Sequence, residues 1–215
     1  TKYLSATKYW EINDSFIKQE AEKLLEGKQT VLDVIQADYQ YINDKLEYNS
    51  SKASDPNRIR IGAKAALQGG DSVCMEYSDS MIAILRAQGI AARAASGYTN
   101  INPSVTEKES HQWVQVWIPE YGWLTVDPSH ESSNMTIGQN VQYVLWNTTY
   151  DDSNIDIKAY SANEFKIDTS KYNISISAVD KKEIPLNLLS YSDIKTENKE
   201  NSTKDTINMI VKTTS

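Results

Sequence analysis

The sequence predicts an α+β domain in which helices come first and antiparallel strands follow. Three observations carry that prediction. Apolar residues recur at helical spacing through the first fifty positions, a glycine-rich approach at Gly69-Gly70 opens into an apolar-periodic run from Cys74 to Gly89, and residues 111–128 alternate over two runs joined by a turn containing proline and glycine. At 215 residues the chain suffices for one sizeable core or two small ones.

Composition narrows the partners. The formal net charge is −7 and the pI about 4.9, with the charges dispersed along the chain. That balance argues against nucleic acid and against an anionic membrane surface, both of which need a basic patch. No apolar run reaches the length of about eighteen residues that spans a bilayer, so no membrane insertion is expected from this segment. The chain begins at Thr1 with no charged and apolar leader, and reads as an excised portion of a longer protein that is extracellular or displayed on a cell surface. One cysteine cannot close an internal disulfide and leaves the redox compartment open.

In chain order, Asn13 or Asp14 can cap a first helix bearing Phe16, Ile17, Ala21, Leu24 and Leu25, with Gly27 as its stop. A second helix opens after Thr30 and spaces Leu32, Ile35, Tyr39, Ile42 and Leu46 by three and four. Such stripes face a core. Residues 49–57 are rich in Ser, Asn, Asp and Pro and read as a loop, and Ala63–Leu67 as a short helical turn delivering the chain to Gly69.

The next helix begins at the single cysteine. Asp71 or Ser72 can serve as its N-cap, which places Cys74 in the first turn, where unpaired N–H groups and the positive end of the macrodipole favour a thiolate. Taken alone, the residue has a second reading as a buried, inert thiol. Met75, Ser78, Ile82 and Leu85 form one stripe that Met81 and Ile84 widen, so the helix is expected at the centre of the domain, ending at Gly89 in the C′ position. An alanine-rich strand follows over 90–98. Its one charge, Arg93, is expected to be structural, pairing with a buried carboxylate or with carbonyls.

Residues 111–128 form the hairpin. With an odd number of residues in the connection, Val114, Val116 and Ile118 share a face with Leu124 and Val126, and His111, Trp113, Gln115 and Trp117 share the other with Trp123, Thr125 and Asp127. A three-residue loop would put His111 directly across from Asp127, at about 4.5–5.5 Å between Cβ atoms, and a five-residue loop diagonally, at about 7–8 Å. Individually His111 reads equally as an ordinary surface or core histidine, and Asp127 before Pro128 as a turn residue. Together with Cys74 they supply a nucleophile, a base and an orienting group.

The ordered set resembles the transglutaminase-like superfamily. Its parts are Gly69-Gly70 and Cys74, the run Leu85-Arg86-Ala87-Gln88-Gly89-Ile90-Ala91-Ala92-Arg93, Gly97-Tyr98, His111-x-Trp113, and Gly122-Trp123-x-x-Val126-Asp127-Pro128. Order and spacing match from about Gly69 to Ser129, and the helical lead-in over Ser15–Tyr48 fits the family's approach. The resemblance implies a papain-like α+β core with the nucleophile helix packed on an antiparallel sheet. It also implies Cys74 as thiolate nucleophile, His111 as general base and then acid, and Asp127 as holder of the imidazole tautomer. Two positions depart from the family pattern: Ala91 where proline is frequent, and Val73 where glycine or glycine-aspartate often precedes the cysteine.

For the oxyanion site the Cys74 backbone N–H is the expected donor. Gln68, six residues before it, is a second candidate whose alternative reading is a solvated turn residue. Trp113 and Tyr98 are expected at a cleft for an extended protein or peptide substrate. In the alternative, Trp113, Trp117 and Trp123 pack the layer between helix and sheet. His130 lies too close behind Asp127 to reach across the same hairpin. The acidic run 151–156 lacks the glycine and terminal glutamate of a calcium loop, so neither a metal nor another cofactor is expected.

Beyond Glu131, residues 141–146 and 172–179 read as strands, residues 181–204 as largely polar apart from 185–191, and residues 207–211 as an edge strand. The expected division is a catalytic core over 1–135 and a C-terminal β extension of the same domain, or a small appendage, over 136–215. Three functions are consistent with the residues: a cysteine hydrolase of peptide, isopeptide or amide bonds working through a thioester, an acyltransferase that cross-links through an amine, and a binding or assembly module that keeps the fold without catalysis.

Overall fold

The computed structural model describes residues 2–99, 109–129, 136–138, 143–151 and 184–200. After a 3-10 turn at Lys2–Leu4 comes helix α1 (Ser15–Leu25), capped by Asp14, whose carboxylate accepts the Phe16 N–H at 2.9 Å. Helix α2 (Val31–Lys45) opens with a reciprocal capping box. The Thr30 hydroxyl accepts the Asp33 N–H, and the Asp33 carboxylate accepts the Thr30 N–H. The expected stripes do face the core, since Ile17, Ala21, Ile35, Tyr39, Ile42 and Leu46 are all buried.

The stretch expected to be a loop at 49–57 contains one short helix, α3 (Ser50–Ser54). Asn49 explains it: its side-chain oxygen accepts the Lys52 N–H at 2.8 Å and nucleates a turn that composition alone does not reveal. Helix α4 (Ala63–Leu67) is the expected short helix before Gly69.

Helix α5 (Cys74–Ala87) forms the centre, with every residue from Glu76 to Arg86 buried. Its end is a Schellman motif. The Gly89 N–H donates to the Arg86 carbonyl and the Ile90 N–H to the Leu85 carbonyl, with Gly89 at φ +87°. Packed against α5 is a five-stranded antiparallel sheet of β1 (Ala92–Thr99), β2 (Glu109–Ile118), β3 (Gly122–Asp127), β4 (Thr136–Ile137) and β5 (Val144–Thr149), in the order β4-β3-β2-β1-β5.

The register Val114–Val126, Gln115–Thr125, Val116–Leu124 and Trp117–Trp123 fixes the two faces as the alternation predicts. Val114, Val116, Ile118, Leu124 and Val126 join Met81, Ile82 and Leu85 of α5 in one core. The three tryptophans of the hairpin therefore lie on the face away from α5, not between helix and sheet. Trp117 meets Trp123 edge-on at 5.3 Å, Tyr3 of the N-terminal turn meets Trp123 at 4.8 Å, and the Arg93 guanidinium lies 3.8 Å over the Trp123 ring. Arg93 also donates to the side-chain oxygen of Gln115 at 3.0 Å, a carbonyl partner of the expected kind.

The expected strand at 141–146 is β5, displaced towards Thr149, with residues 141 and 142 outside the described residues. Part of the polar stretch at 181–204 is a helix, α6 (Tyr191–Glu200), and Leu186 and Ile194 complete the core. The Val31 and Leu32 N–H groups donate to the Leu189 and Leu186 carbonyls, so this segment satisfies two orphan donors at the start of α2. Isolated leucine and isoleucine residues in a polar run carry no periodic signal, which is why the helix escapes a reading of the sequence. His130, the acidic residues 152–156, and the strands expected at 172–179 and 207–211 lie outside the described residues.

Candidate active site

Helix α5 sets the position of Cys74. Its N-cap is Val73, not Asp71 or Ser72, and Cys74 is the first helical residue. The two expected caps are engaged in the preceding loop: the Ser72 hydroxyl donates to the Gly70 carbonyl at 2.9 Å, and Asp71 accepts the Asn49 side-chain amide at 2.9 Å. Val73 has no capping side chain, so the helix start is secured from inside. Glu76 accepts the Val73 N–H at 3.0 Å and the Ile61 N–H at 3.2 Å, and pairs with Lys52 at 3.0 Å. Lys52 in turn donates to the Asp71 carbonyl at 2.7 Å. One buried carboxylate thus ties together the segments on both sides of the loop that precedes Cys74.

Further supports hold the same region. Asp79, one turn on, accepts from Arg60 Nε at 2.8 Å and from Trp10 Nε1 at 2.8 Å, and all three side chains are buried. Burial pushes the Asp79 carboxyl up to about 6 even against the pull of Arg60 and Trp10. Gly70 packs so closely that a Cβ there would lie 2.5 Å from Ile61 Cδ1 and 2.8 Å from the Ala65 carbonyl oxygen.

His111 reaches the cysteine because α5 crosses β2. The Ser78 hydroxyl donates to the Gln112 carbonyl at 3.1 Å, and Cys74 stands one turn nearer the N-terminus of the helix, beside His111. On the other side of the ring, His111 Nε2 lies 2.7 Å from Asp127 Oδ2. A carboxylate only accepts, so Nε2 carries the hydrogen and Nδ1 is left for the Cys74 thiol. Burial opposes a charge on the ring, but the hydrogen bond to Asp127, the hydrogen bond with Cys74 and the charges of both outweigh it and push His111 up to about 10. Burial likewise works against a charged Asp127, yet His111, Tyr143 and Ser129 together hold it below the usual carboxylate range.

The hairpin register differs from the expected one. Residues 119–121 form a three-residue connection, yet His111 and Asp127 are diagonal, not directly opposed. Pairing of Ile118 with Gly122 places the turn one residue later than direct opposition requires, so one step beyond the Val114–Val126 pair Asp127 falls opposite Trp113. Long side chains close the gap.

Two residues missed by sequence reasoning complete the site. The Ser129 N–H and hydroxyl donate to Asp127 Oδ1 at 3.1 and 2.7 Å, and the Tyr143 hydroxyl donates to Oδ2 at 2.6 Å. An aspartate followed two residues on by serine is an Asx-turn signal, so Ser129 was within reach of the sequence. Tyr143 lies 16 residues beyond Asp127 with no local pattern to mark it. The Asn43 amide of α2 donates to the Pro128 carbonyl at 3.0 Å and anchors the same turn.

The other expected residues are placed as follows. Gln68 is exposed at the C-cap of α4. Trp113 is 1% exposed, meets Tyr143 edge-on at 5.1 Å and stacks loosely on His111 at 6.2 Å, so it forms a wall behind the imidazole and not an open cleft. Tyr98 is half-buried beside Gly97, which pairs with His111, and alternation turns its side chain to the opposite face. Among the described residues no group of three or more His, Cys, Asp or Glu side chains is arranged to hold a metal ion, and no helix is long and apolar enough to cross a membrane.

Comparison with known proteins bears on the family and the fold. Over 79 residues the chain is 38% identical to a protein-glutamine gamma-glutamyltransferase of Pseudomonas aeruginosa, a match covering 34% of this chain and 12% of that protein. Over 149 residues it is 28% identical to the uncharacterized protein YebA of Bacillus subtilis, covering 62% of this chain and 20% of the relative. The chain thus spans a fifth or less of the length of these curated relatives. A crystal structure of a candidate cysteine protease from Cytophaga hutchinsonii shares the fold with a TM-score of 0.54 at 20% identity, over 69% of this chain and 46% of that one. The family model of the transglutaminase-like superfamily matches residues 18–128, just over half of the chain, from α1 through the hairpin to Pro128, and the chain belongs to that superfamily.

Proposed function

We propose that this domain is a cysteine-dependent hydrolase of peptide, isopeptide or amide bonds in a protein or peptide substrate. The observation that carries the reading is the meeting of Cys74 at a helix N-terminus with an imidazole whose other nitrogen is held by a buried carboxylate. Cys74 sulfur attacks the carbonyl carbon, and its proton has already passed to His111. The C–N bond breaks as His111 returns that proton to the leaving amine, and a thioester remains. Water then gives a proton to His111 as its oxygen attacks the thioester, the C–S bond breaks, and the thiolate is restored. Asp127 holds the ring in the tautomer both steps need.

The Cys74 backbone N–H, one of the four in a helix without an intrahelical partner, is the proposed oxyanion donor, with Gln68 as a second. Within this proposal residues 1–135 form the catalytic core, and residues 136–215 are an extension that contributes Tyr143. An extracellular or cell-surface setting belongs to the same proposal, and fractionation of the producing cell tests it.

Transfer to an amine is the second reading, favoured by the relative named as a gamma-glutamyltransferase. The acyl acceptor alone separates the two, since both pass through the same thioester.

Alkylation of Cys74 by iodoacetamide from pH 4 to 9, followed by intact mass, tests the site. The native thiol should be alkylated faster than the His111→Ala thiol at the acid end of that range. Identical profiles in the two proteins would leave a binding module as the better reading. Peptide mixtures incubated with and without a primary amine then distinguish a hydrolysed product from an amine adduct by mass.

A further inference from the structure

We propose that Tyr143 is a positioning residue for the reaction, its phenol holding the Asp127 carboxylate in the orientation that aligns His111 with Cys74. The inference rests on the hydrolase reading above and adds to it a residue from outside the segment matched by the family model, which ends at residue 128.

Four donors surround the Asp127 carboxylate. Oδ1 takes the Ser129 N–H at 3.1 Å and the Ser129 hydroxyl at 2.7 Å, while Oδ2 takes His111 Nε2 at 2.7 Å and the Tyr143 hydroxyl at 2.6 Å. A carboxylate offers about four lone-pair sites, so this one is saturated, and a protonated Asp127 would set its own hydrogen against one of the four donors. The arrangement is therefore specific for the ionised form. Tyr143 and His111 converge on the same oxygen, and that convergence fixes the direction from which the ring is held. Remove the phenol, and Oδ2 keeps His111 as its one partner while Ser129 alone holds Oδ1, so nothing fixes Oδ2 independently of the ring it has to orient.

The tyrosine ring also occupies a defined place. Its centroid lies 5.1 Å from Trp113, edge-on, and 6.3 Å from His111. Trp113 and Tyr143 both pack near the imidazole, and Asp127 is fully buried, so the His111–Asp127 hydrogen bond lies in a low dielectric that strengthens it. Burial and the charge of Asp127 push the Tyr143 hydroxyl far up, so it donates throughout the working pH range.

Tyr143→Phe keeps the ring and removes one hydrogen bond. Two probes read the result: p-nitrophenyl acetate for turnover and iodoacetamide for the pH profile of Cys74, both normalised to the number of alkylatable Cys74 sites so that only folded, competent molecules count. The expected outcome is a fall in kcat of about tenfold with KM within about twofold, and an acid limb of the alkylation profile that loses part of its dependence on His111 as the ring loses alignment with Cys74. Ser129→Ala is the second variant. It leaves the Ser129 N–H on Oδ1 and should give a smaller change in the same direction.

A purely packing role would lower the melting temperature and the number of competent sites while leaving kcat per site and the acid limb where they are, and that result overturns the proposal. If the native chain itself shows no His111-dependent alkylation, the hydrolase reading falls and this inference with it. If the native chain shows it and Tyr143→Phe matches the native profile, only the inference falls.

Discussion

Asp127 stands diagonally across the β2–β3 pair from His111, and its Oδ2 still meets His111 Nε2 at 2.7 Å. Diagonal partners on neighbouring strands have Cβ atoms about 7–8 Å apart, a span that an imidazole and a carboxylate can bridge only when both are held in the right rotamers. Trp113 and Tyr143 confine the ring, while Ser129 and Tyr143 confine the carboxylate. The charge relation between the two residues depends on that restraint.

Asp127→Asn tests the relation directly. An amide has one acceptor and one donor end, whereas all four neighbours of Asp127 donate. With its oxygen kept by Ser129, the asparagine turns its NH2 towards His111, and the ring must then carry its hydrogen on Nδ1, facing Cys74. Turnover of an activated ester should fall about 10³–10⁴-fold with the fold intact. The ring should also titrate well below its native value of about 10, closer to its ordinary 6.5, as followed by the imidazole proton resonances.

Arg60→Met tests how helix α5 is held. Asp79 is fully buried, and Arg60 is its only cationic partner among the described residues. Removing one member of a buried pair leaves an uncompensated charge and costs about 3–5 kcal/mol, measured by urea denaturation. A double change, Arg60→Met with Asp79→Leu, removes both charges and should recover most of that loss.

Gly70→Ala tests the loop that delivers Cys74. The added methyl would sit 2.8 Å from the Ala65 carbonyl oxygen, a backbone atom that cannot rotate away, and 2.5 Å from Ile61 Cδ1. Relief requires a shift of α4 against the loop. Stability should drop by about 1–3 kcal/mol, and the rate of Cys74 alkylation should fall more than the stability loss explains, because the strain is delivered four residues from the sulfur.

Much of this site can be read from residue order, since the cysteine begins a helix, the aspartate ends a strand and the histidine lies two residues into the neighbouring strand. The faces of the hairpin follow from alternation because its connection is odd. Three features do not follow. The diagonal register depends on which residue starts the turn, and Ile118 pairs as well as it turns. The start of α5 depends on Glu76 reaching back to the Val73 N–H, a half capping box whose N-cap is a valine that no propensity would select. Tyr143 is brought to Asp127 by β5 joining the far edge of the sheet beside β1, a non-local pairing with no signature in the intervening sequence.

Asp38→Asn tests a proton in the core. Asp38 on α2 is buried, and its Oδ1 accepts the Gln88 side-chain amide at 2.8 Å. Asp38 Oδ2 and Gln88 Oε1 are both buried without a hydrogen-bond partner among the described residues. A proton on Oδ2 reconciles the two, since an acid hydroxyl donating to the amide oxygen closes a two-bond acid–amide pair. Burial pushes the Asp38 carboxyl up to about 8, with Gln88 pulling the other way, against an ordinary 3.8. The Tyr191 hydroxyl donates to the Gln88 carbonyl, so the pair also touches the segment that carries α6. Between pH 4 and 8 the folded chain keeps a proton that the unfolded chain has released, and stability from this group falls as pH rises, at about 1.4 kcal/mol per pH unit, levelling off above 8. An asparagine offers an N–H to Gln88 Oε1 and an oxygen to Gln88 Nε2 without a titration. The difference in unfolding free energy between Asp38→Asn and the native chain should therefore be small at pH 5 and grow steadily towards pH 8. A difference that stays flat over that range would mean that Asp38 is ionised in the folded chain at pH 5.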